Sequence, residues 1–119
     1  MGDKKGGKGP ETVIATYRVR NDREAEFLDL LRRHYPVLKR LDLVTGDPPV
    51  IYRGFESGGG LIIYEIFTWK SGEAAGVAHE IPDVMKIWEA MGTLVEERDG
   101  RPKFWFPHVK KLDLAHDAG

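Results

Sequence analysis

Apolar and polar residues alternate with a period of two in several stretches of the chain. Residues 12–20 (TVIATYRVR) alternate in this way and are rich in β-branched side chains, a pattern typical of a strand. Residues 50–56 and 61–69 predict two more strands. The glycines of the connector 57–60 (SGGG) permit positive φ angles, so these two strands are expected to form an antiparallel hairpin.

A helical period follows the first strand. Asn21 and Asp22 are candidate N-caps for this helix, and Pro36 is expected to kink or divide it because proline lacks a backbone donor. The apolar stripe of the helix also contains one histidine; its members are Phe27, Leu30, Leu31, His34, Leu38 and Leu41.

A second helical region follows the third strand. Ser71 is its candidate N-cap, and Pro82 occupies a favoured first position from which the helix restarts. Asp99-Gly100 is expected to end it. Residues 101–109 (RPKFWFPHV) then predict a last strand, and its two prolines favour an edge position.

The resulting order is βαββαβ, which predicts an α+β ferredoxin-like fold with two helices on one face of a four-stranded antiparallel sheet. The third strand is apolar on both faces: Ile63 and Phe67 lie on one side, Ile62 and Ile66 on the other. A sheet covered on one side only should alternate with polar residues. We therefore expect a second copy of the chain to cover the bare face, as in a homodimer.

A chain of 119 residues suits one domain, assigned to residues 11–110, with a flexible arm at 1–10 and a polar tail at 111–119. The net charge of −1 argues against nucleic-acid and membrane partners. The chain has no cysteine, which excludes disulfides and thiolate chemistry. Its start has no apolar stretch, so a cytoplasmic location is expected.

Residues 69–84 (WKSGEAAGVAHEIPDV) resemble the antibiotic biosynthesis monooxygenase-like (ABM-like) family of dimeric α/β barrels. The likeness lies in a strand that ends in Trp-Lys-Ser, a Glu-Ala pair that opens a helix, and the His, Pro and Val that follow. It implies a homodimer with its sheets packed face to face, and a pocket in each subunit between sheet and helices. Family members include cofactor-free oxygenases of polyphenols, isomerases and haem-degrading enzymes.

The haem-degrading branch of that family uses an Asn on the first strand and a Trp and a His on the second helix. Aligned on Trp69, these positions are occupied here by Tyr17, Ala78 and Trp88. None of the three matches, which argues against haem degradation.

Two residues are candidate catalytic groups. Glu65 is a carboxylate in a strongly apolar strand, so it needs a partner (Arg18, Arg53 or a histidine) or a wet cavity. Glu65 is either one member of a structural ion pair or an acid or base in a pocket. His79 lies just before the Ile81-Pro82 break and is a candidate general acid or base. The alternative is a helix-terminal histidine that donates to free carbonyls.

Aromatic and polar side chains are candidates for a substrate pocket, with plain core packing as the alternative: Tyr17, Tyr52, Arg53, Phe67, Trp69, Trp88 and His108. His34 and His108 are interpreted as packing histidines. His79, Glu65 and His108 show no spacing motif for a metal, so no metal site and no bound cofactor are predicted.

The pattern leaves several functions open. The first is a cofactor-independent monooxygenase or isomerase that acts on a small aromatic or polyketide-like substrate. The second is a non-catalytic dimeric module that binds a small molecule or is purely structural. RNA-recognition domains share the βαββαβ order, but the stretch 60–65 (GLIIYE) lacks their basic and aromatic signature.

Overall fold

Strand β1 (Glu11–Arg18) lies inside an antiparallel sheet, because it pairs on both of its edges. The remaining strands are β2 (Val50–Phe55), β3 (Leu61–Trp69), β4 (Phe104–Trp105) and β5 (His108–Val109). The helices are α1 (Glu24–Arg40), α2 (Ala74–Ala78), α3 (Pro82–Gly92) and α4 (Leu114–Asp117). These elements belong to a computed structural model that describes residues 9–117.

The strands are ordered β2-β3-β1-β4 across the sheet, and β5 also pairs with β1. All of these pairs are antiparallel. Helices α1 and α3 pack against each other, and their buried side chains share one core with Val13, Tyr17 and Ile63 of the sheet. The predicted ferredoxin-like fold is confirmed.

The last strand differs from the prediction, because it is divided into β4 and β5 by Phe106 and Pro107. Proline has no N–H for a ladder bond, so regular pairing cannot run through it. The segment nevertheless stays along β1: the carbonyl of Pro107 accepts the N–H of Ile14 at 3.0 Å. Phe104, Phe106 and His108 therefore still face the same cavity as β1.

Helix α1 is not divided at Pro36, since it continues to Arg40. Pro36 is exposed, and residues Leu30, Leu31 and Leu38 on either side of it are buried against the core. The predicted N-cap is wrong: Asn21 begins a short 3₁₀ turn, and its side chain bonds to Gly59 and Leu61 in the β2–β3 hairpin.

The ends of the second helical region also differ from those predicted. Ser71 does not cap α2 with its side chain, whereas Pro82 stands at the start of α3 as predicted. Helix α3 ends at Gly92, before the predicted Asp99-Gly100. That dipeptide instead turns a small hairpin, in which both residues have positive φ and Arg98 pairs with Arg101.

Three arginines converge on one carboxylate, Glu56, at the end of the β2–β3 hairpin. Nε of Arg18 lies 3.1 Å from Glu56 Oε2, Nη1 of Arg101 lies 2.8 Å from the same oxygen, and Nη1 of Arg98 lies 3.2 Å from Oε1. The Arg98 guanidinium rests so close to Gly60 that a Cβ there would lie 2.6 Å from Nη1. We call these four charged side chains the Glu56 cluster; they join β1, the hairpin and the 98–101 turn.

The sheet face that points away from the core carries apolar side chains. Tyr52 and Trp105 are each 60% exposed, and Val50 is 46% exposed. By the strand register these residues share a face with Ile14, Tyr64 and Ile66. No helix within residues 9–117 is both long and apolar enough to cross a membrane.

The predicted N-terminal arm and C-terminal tail are only partly within this structure. Residues 1–8 and 118–119 lie outside the described residues. Within the tail, Leu112 and Leu114 are exposed.

Candidate functional site

An apolar cavity of about 460 Å³ opens between the sheet and the helical layer. Such a volume is typical of small-molecule sites. The sheet side contributes Val13, Ala15, Tyr17, Phe67, Trp69, Phe104, Phe106 and His108. The helical side contributes His34, Ala75, His79, Met85, Trp88, Glu89, Met91 and Gly92.

A buried hydrogen-bonded pair lies at the wall of this cavity. Nδ1 of His34 is 2.9 Å from Oε2 and 3.1 Å from Oε1 of Glu65. The two side chains are only 2% and 1% exposed. His34 reaches the pair from the apolar stripe of α1, and Glu65 from the core face of β3. A buried carboxylate needs such a partner, because desolvation without one is costly.

The tautomer of His34 follows from its other partner. Nε1 of Trp88 donates a hydrogen bond to His34 Nε2 at 2.8 Å. An indole nitrogen can only donate, so His34 Nε2 carries a lone pair and the ring proton is on Nδ1. His34 is therefore neutral in this arrangement, and it donates Nδ1–H to Glu65.

Tyr17 completes the network from β1. Its hydroxyl donates to Glu65 Oε1 at 2.8 Å. Burial first, and then the neighbouring Glu65 carboxylate, raise the pKa of Tyr17 well above its usual range. The phenol therefore stays protonated, and the chain of bonds runs Trp88 to His34 to Glu65, with Tyr17 as the second donor to the carboxylate.

Ionisable groups also occur among the more exposed lining residues. His79 is exposed and packs its ring edge-on against Trp88, with centroids 4.8 Å apart. His108 pairs with Glu11 at 2.7 Å, and Glu89 is exposed. These side chains are open to solvent, whereas His34 and Glu65 are buried.

Two of the solved structures that are similar to this one are examples of its fold. That of Rv0793 from Mycobacterium tuberculosis aligns with a TM-score of 0.61 and 20% identity, over 88% of this chain and 97% of the other. That of a "Putative antibiotic biosynthesis monooxygenase" from Bacteroides thetaiotaomicron aligns with a TM-score of 0.57 and 17% identity, over 91% and 94%. This chain has their fold.

No protein-family model and no curated protein sequence matches the chain. At identities of 20% and 17%, the likeness concerns the ferredoxin-like fold and not the roles of single residues. Those roles have to be argued from the cavity itself.

The structure brings most of the predicted site residues together. Tyr17, Phe67, Trp69, Trp88 and His108 line the cavity, and so does the catalytic candidate His79. Glu65 does not line the cavity itself, but it is hydrogen-bonded to two residues that do, Tyr17 and His34.

Two predicted binding residues need correction, because both lie on the outer strand β2 and outside the cavity. Tyr52 points to the bare face of the sheet and is 60% exposed. Arg53 is exposed and forms a bidentate ion pair with Glu24 at the start of α1. Both were candidates because of their side-chain types, but β2 is the strand farthest from β4 and β5.

His34 is the site residue that sequence reasoning missed, since it was interpreted as a packing histidine. The signal was present: an ionisable residue on the buried stripe of a helix and another on the buried face of a strand each need a partner. Lining residues Phe104, Phe106, Met85 and Met91 were also not predicted. Across residues 9–117 no three His, Asp or Glu side chains cluster as a metal site would require.

Proposed function

We propose that this protein belongs to the ABM-like family and is an enzyme that takes a proton from a small aromatic or polyketide-like substrate. In this proposal molecular oxygen then oxidises the anion, and no bound cofactor takes part. The observation that carries the proposal is that His34 lines a largely apolar cavity and is hydrogen-bonded to the buried carboxylate of Glu65. The fold shared with the "Putative antibiotic biosynthesis monooxygenase" of Bacteroides thetaiotaomicron supports the family assignment.

A histidine whose Nδ1–H is held by a carboxylate is a general base, because the second nitrogen can accept a proton and the carboxylate stabilises the resulting imidazolium. In this site Nε2 of His34 is that acceptor once the indole of Trp88 makes room. Glu65 acts through His34, so it is a positioning residue. This role replaces direct proton removal by Glu65, which has no lining position in the cavity.

The reaction balances with oxygen as the sole oxidant. A phenol gives its hydroxyl proton to His34 Nε2, and the electron-rich ring carbon then forms a bond to one atom of O₂. The O–O bond breaks, the ring carbon loses its hydrogen, and the products are a quinone and one water. The substrate loses four electrons and O₂ gains them. If the proton returned to another carbon instead, the same base would serve an isomerase.

The remaining cavity residues have supporting roles in this proposal. Phe67, Trp69 and Tyr17 provide an aromatic wall against which a flat ring can pack. His79, exposed and in contact with Trp88, is placed to pass a proton between cavity and solvent. His108 is proposed to contact the substrate from the β5 side.

The working form in this proposal is a homodimer that buries the bare sheet face. Exposed Val50, Tyr52 and Trp105 support it, because an apolar face of this kind is unusual for a monomer. A cytoplasmic location stays a prediction from the sequence.

A His34→Gln variant tests the base. The glutamine amide can donate to Glu65 and accept from Trp88, but it cannot take a proton. We expect the wild-type protein to convert 1-naphthol to 1,4-naphthoquinone with one O₂ consumed per product. His34→Gln should lower that rate by about 10²- to 10⁴-fold while it still binds 1-naphthol.

Arg32→Gln, an exposed change on the same helix, is the matched control and should retain the full rate. The proposal is abandoned if the wild-type protein consumes no oxygen above the uncatalysed rate with a panel of phenols, naphthols and anthrones.

A non-catalytic binding module is the second candidate, and one observation favours it. Every buried side-chain nitrogen and oxygen in the described part of the chain already has a hydrogen-bond partner. A closed network of this kind can be purely structural. Tight binding of 1-naphthol without turnover would select this function.

A further inference from the structure

The hydrogen bond between Trp88 and His34 is only part-buried, whereas the bonds of Glu65 to His34 and Tyr17 are buried. Both rings line the cavity, and Trp88 is only partly buried while His34 is 2% exposed. The indole packs edge-on against His79, which is exposed. A tilt of Trp88 away from His34 would displace His79, a surface side chain, whereas Glu65 holds His34 in place.

If the two rings separate, only certain chemical groups can enter the gap between them without leaving a hydrogen-bonding atom unpaired. The gap presents one donor, the indole N–H, and one acceptor, Nε2 of His34. A hydroxyl fills both roles, since its oxygen accepts from Trp88 while its hydrogen is donated to His34. An ether or a bare ring would leave one or both groups without a partner, and an unmade buried hydrogen bond is costly.

The charges around the cavity restrict the ligand further. The lining contains no lysine or arginine among the described residues, and its ionisable members are His34, His79, His108, Tyr17 and Glu89. Behind the wall lies the Glu65 carboxylate, which is 1% exposed. An aromatic carboxylate in the cavity would be repelled by the Glu65 carboxylate in a medium of low dielectric. It would also find no lysine or arginine to pair with.

We infer that the Trp88–His34 bond is a slot for the hydroxyl group of an uncharged aromatic ligand. The catalytic consequence of this slot rests on the proposed function. As the substrate proton moves to His34, Trp88 donates a hydrogen bond to the substrate oxygen on which negative charge develops. A donor that is already in place for such charge is a strong contributor to catalysis. Trp88 would then contact the substrate at its reacting oxygen, beside the base.

Four probes of similar shape test the slot on the wild-type protein: 1-naphthol, 1-methoxynaphthalene, naphthalene and 1-naphthoate. Calorimetry should give an affinity for 1-naphthol at least about tenfold above that for 1-methoxynaphthalene and for naphthalene. The carboxylate should bind most weakly. Equal affinities for 1-naphthol and 1-methoxynaphthalene, or preferred binding of 1-naphthoate, would overturn the inference.

Nitrogen NMR gives a readout that does not depend on turnover. The Trp88 indole resonance, assigned by its loss in Trp88→Phe, should move on addition of 1-naphthol and stay nearly unchanged with naphthalene. An indole resonance that does not respond to 1-naphthol would contradict the slot. Tight 1-naphthol binding without oxygen consumption would instead sink the proposed enzyme and leave the slot intact.

Kinetics separate a role at the reacting oxygen from simple packing. Trp88→Phe should lower kcat by about ten- to a hundredfold and change KM by less than about threefold. Arg32→Gln, an exposed change on α1, is the control and should leave both constants unchanged. A raised KM with unchanged kcat would mean that Trp88 only packs against the ligand.

Discussion

Glu65 shows how a single buried residue can organise a site. It lies on β3 with 1% of its surface exposed, and its hydrogen-bond partners are a tyrosine and a histidine. The sequence predicted that this carboxylate needs a partner and offered Arg18, Arg53 or a histidine. The histidine is the partner, because both arginines are engaged with other carboxylates, Glu56 and Glu24.

The Tyr17 hydroxyl gives this network a pH dependence. Burial and the Glu65 carboxylate raise the pKa of Tyr17 in the folded protein, whereas in the unfolded chain the phenol titrates near pH 10. A raised pKa contributes stability that is fully present below about pH 10 and is lost as the pH rises toward the folded value. The wild-type free energy of unfolding should therefore fall steeply above about pH 10.

The comparison variant is Tyr17→Phe, which has no phenol to ionise. It should be less stable at neutral pH by about 1–2 kcal/mol, through the lost hydrogen bond. The difference between the two proteins should shrink above about pH 10, as measured by urea unfolding across the pH range. A difference that grows in alkali would show that Tyr17 is not held in its protonated form.

Among the elements, patterns that extend over many residues were predicted well and local end signals were not. Strands β1 and β3 and helix α1 follow from periodicity, because each buries one face along its length. The N-caps at Asn21 and Ser71 were wrong, since in the folded chain Asn21 bonds to the distant hairpin residues Gly59 and Leu61. A side chain with several possible backbone partners does not reveal its choice locally.

The site itself was predicted in part for the same reason. Alternation along β3 placed Phe67 and Trp69 on one face, and the cavity lies on that face. Which strand lies near the cavity depends on the order β2-β3-β1-β4, and for this reason the β2 candidates Tyr52 and Arg53 had to be dropped. The His34–Glu65 contact joins residues 31 positions apart, and no local pattern encodes it.

The Glu56 cluster joins three elements, so its loss should destabilise the fold. Burial disfavours the Glu56 carboxylate, but hydrogen bonds from Arg98 and Arg18 outweigh that effect and lower the pKa of Glu56. Glu56→Gln should reduce the free energy of unfolding by about 2 kcal/mol at neutral pH, measured by urea titration. Glu80→Gln, an exposed control, should change it by less than about 0.5 kcal/mol.

The lowered pKa of Glu56 determines how its contribution to the free energy of unfolding changes with pH. The contribution of Glu56 is present above the pKa of an unfolded glutamate, near 4.3, and is lost as the pH falls through the folded value. The gap between wild type and Glu56→Gln should therefore narrow in acid. A gap that stays constant down to about pH 2 would rule out an ionised Glu56 as its source.

The whole molecule presents a sheet covered on one face only. We expect a homodimer through the face that carries Tyr64, and light scattering at micromolar concentration should report twice the mass of the 119-residue chain. Tyr64→Glu should give a folded monomer, because a buried unpaired carboxylate opposes association. Val77→Glu, an exposed change on α2, should leave the dimer intact. A wild-type monomer would remove the basis for the dimer.

The contact between Arg98 and Gly60 has a consequence for how this sequence can diverge. A methyl group at position 60 would overlap the guanidinium, so a larger residue there must either displace the end of the Arg98 side chain or be accompanied by a shorter side chain at position 98. Arg98 in turn donates to the backbone carbonyls of Val19 and Leu61, which tie two strands to the turn. A larger residue at position 60 would therefore break these bonds, and among descendants of this chain a change at position 60 should favour a change at position 98.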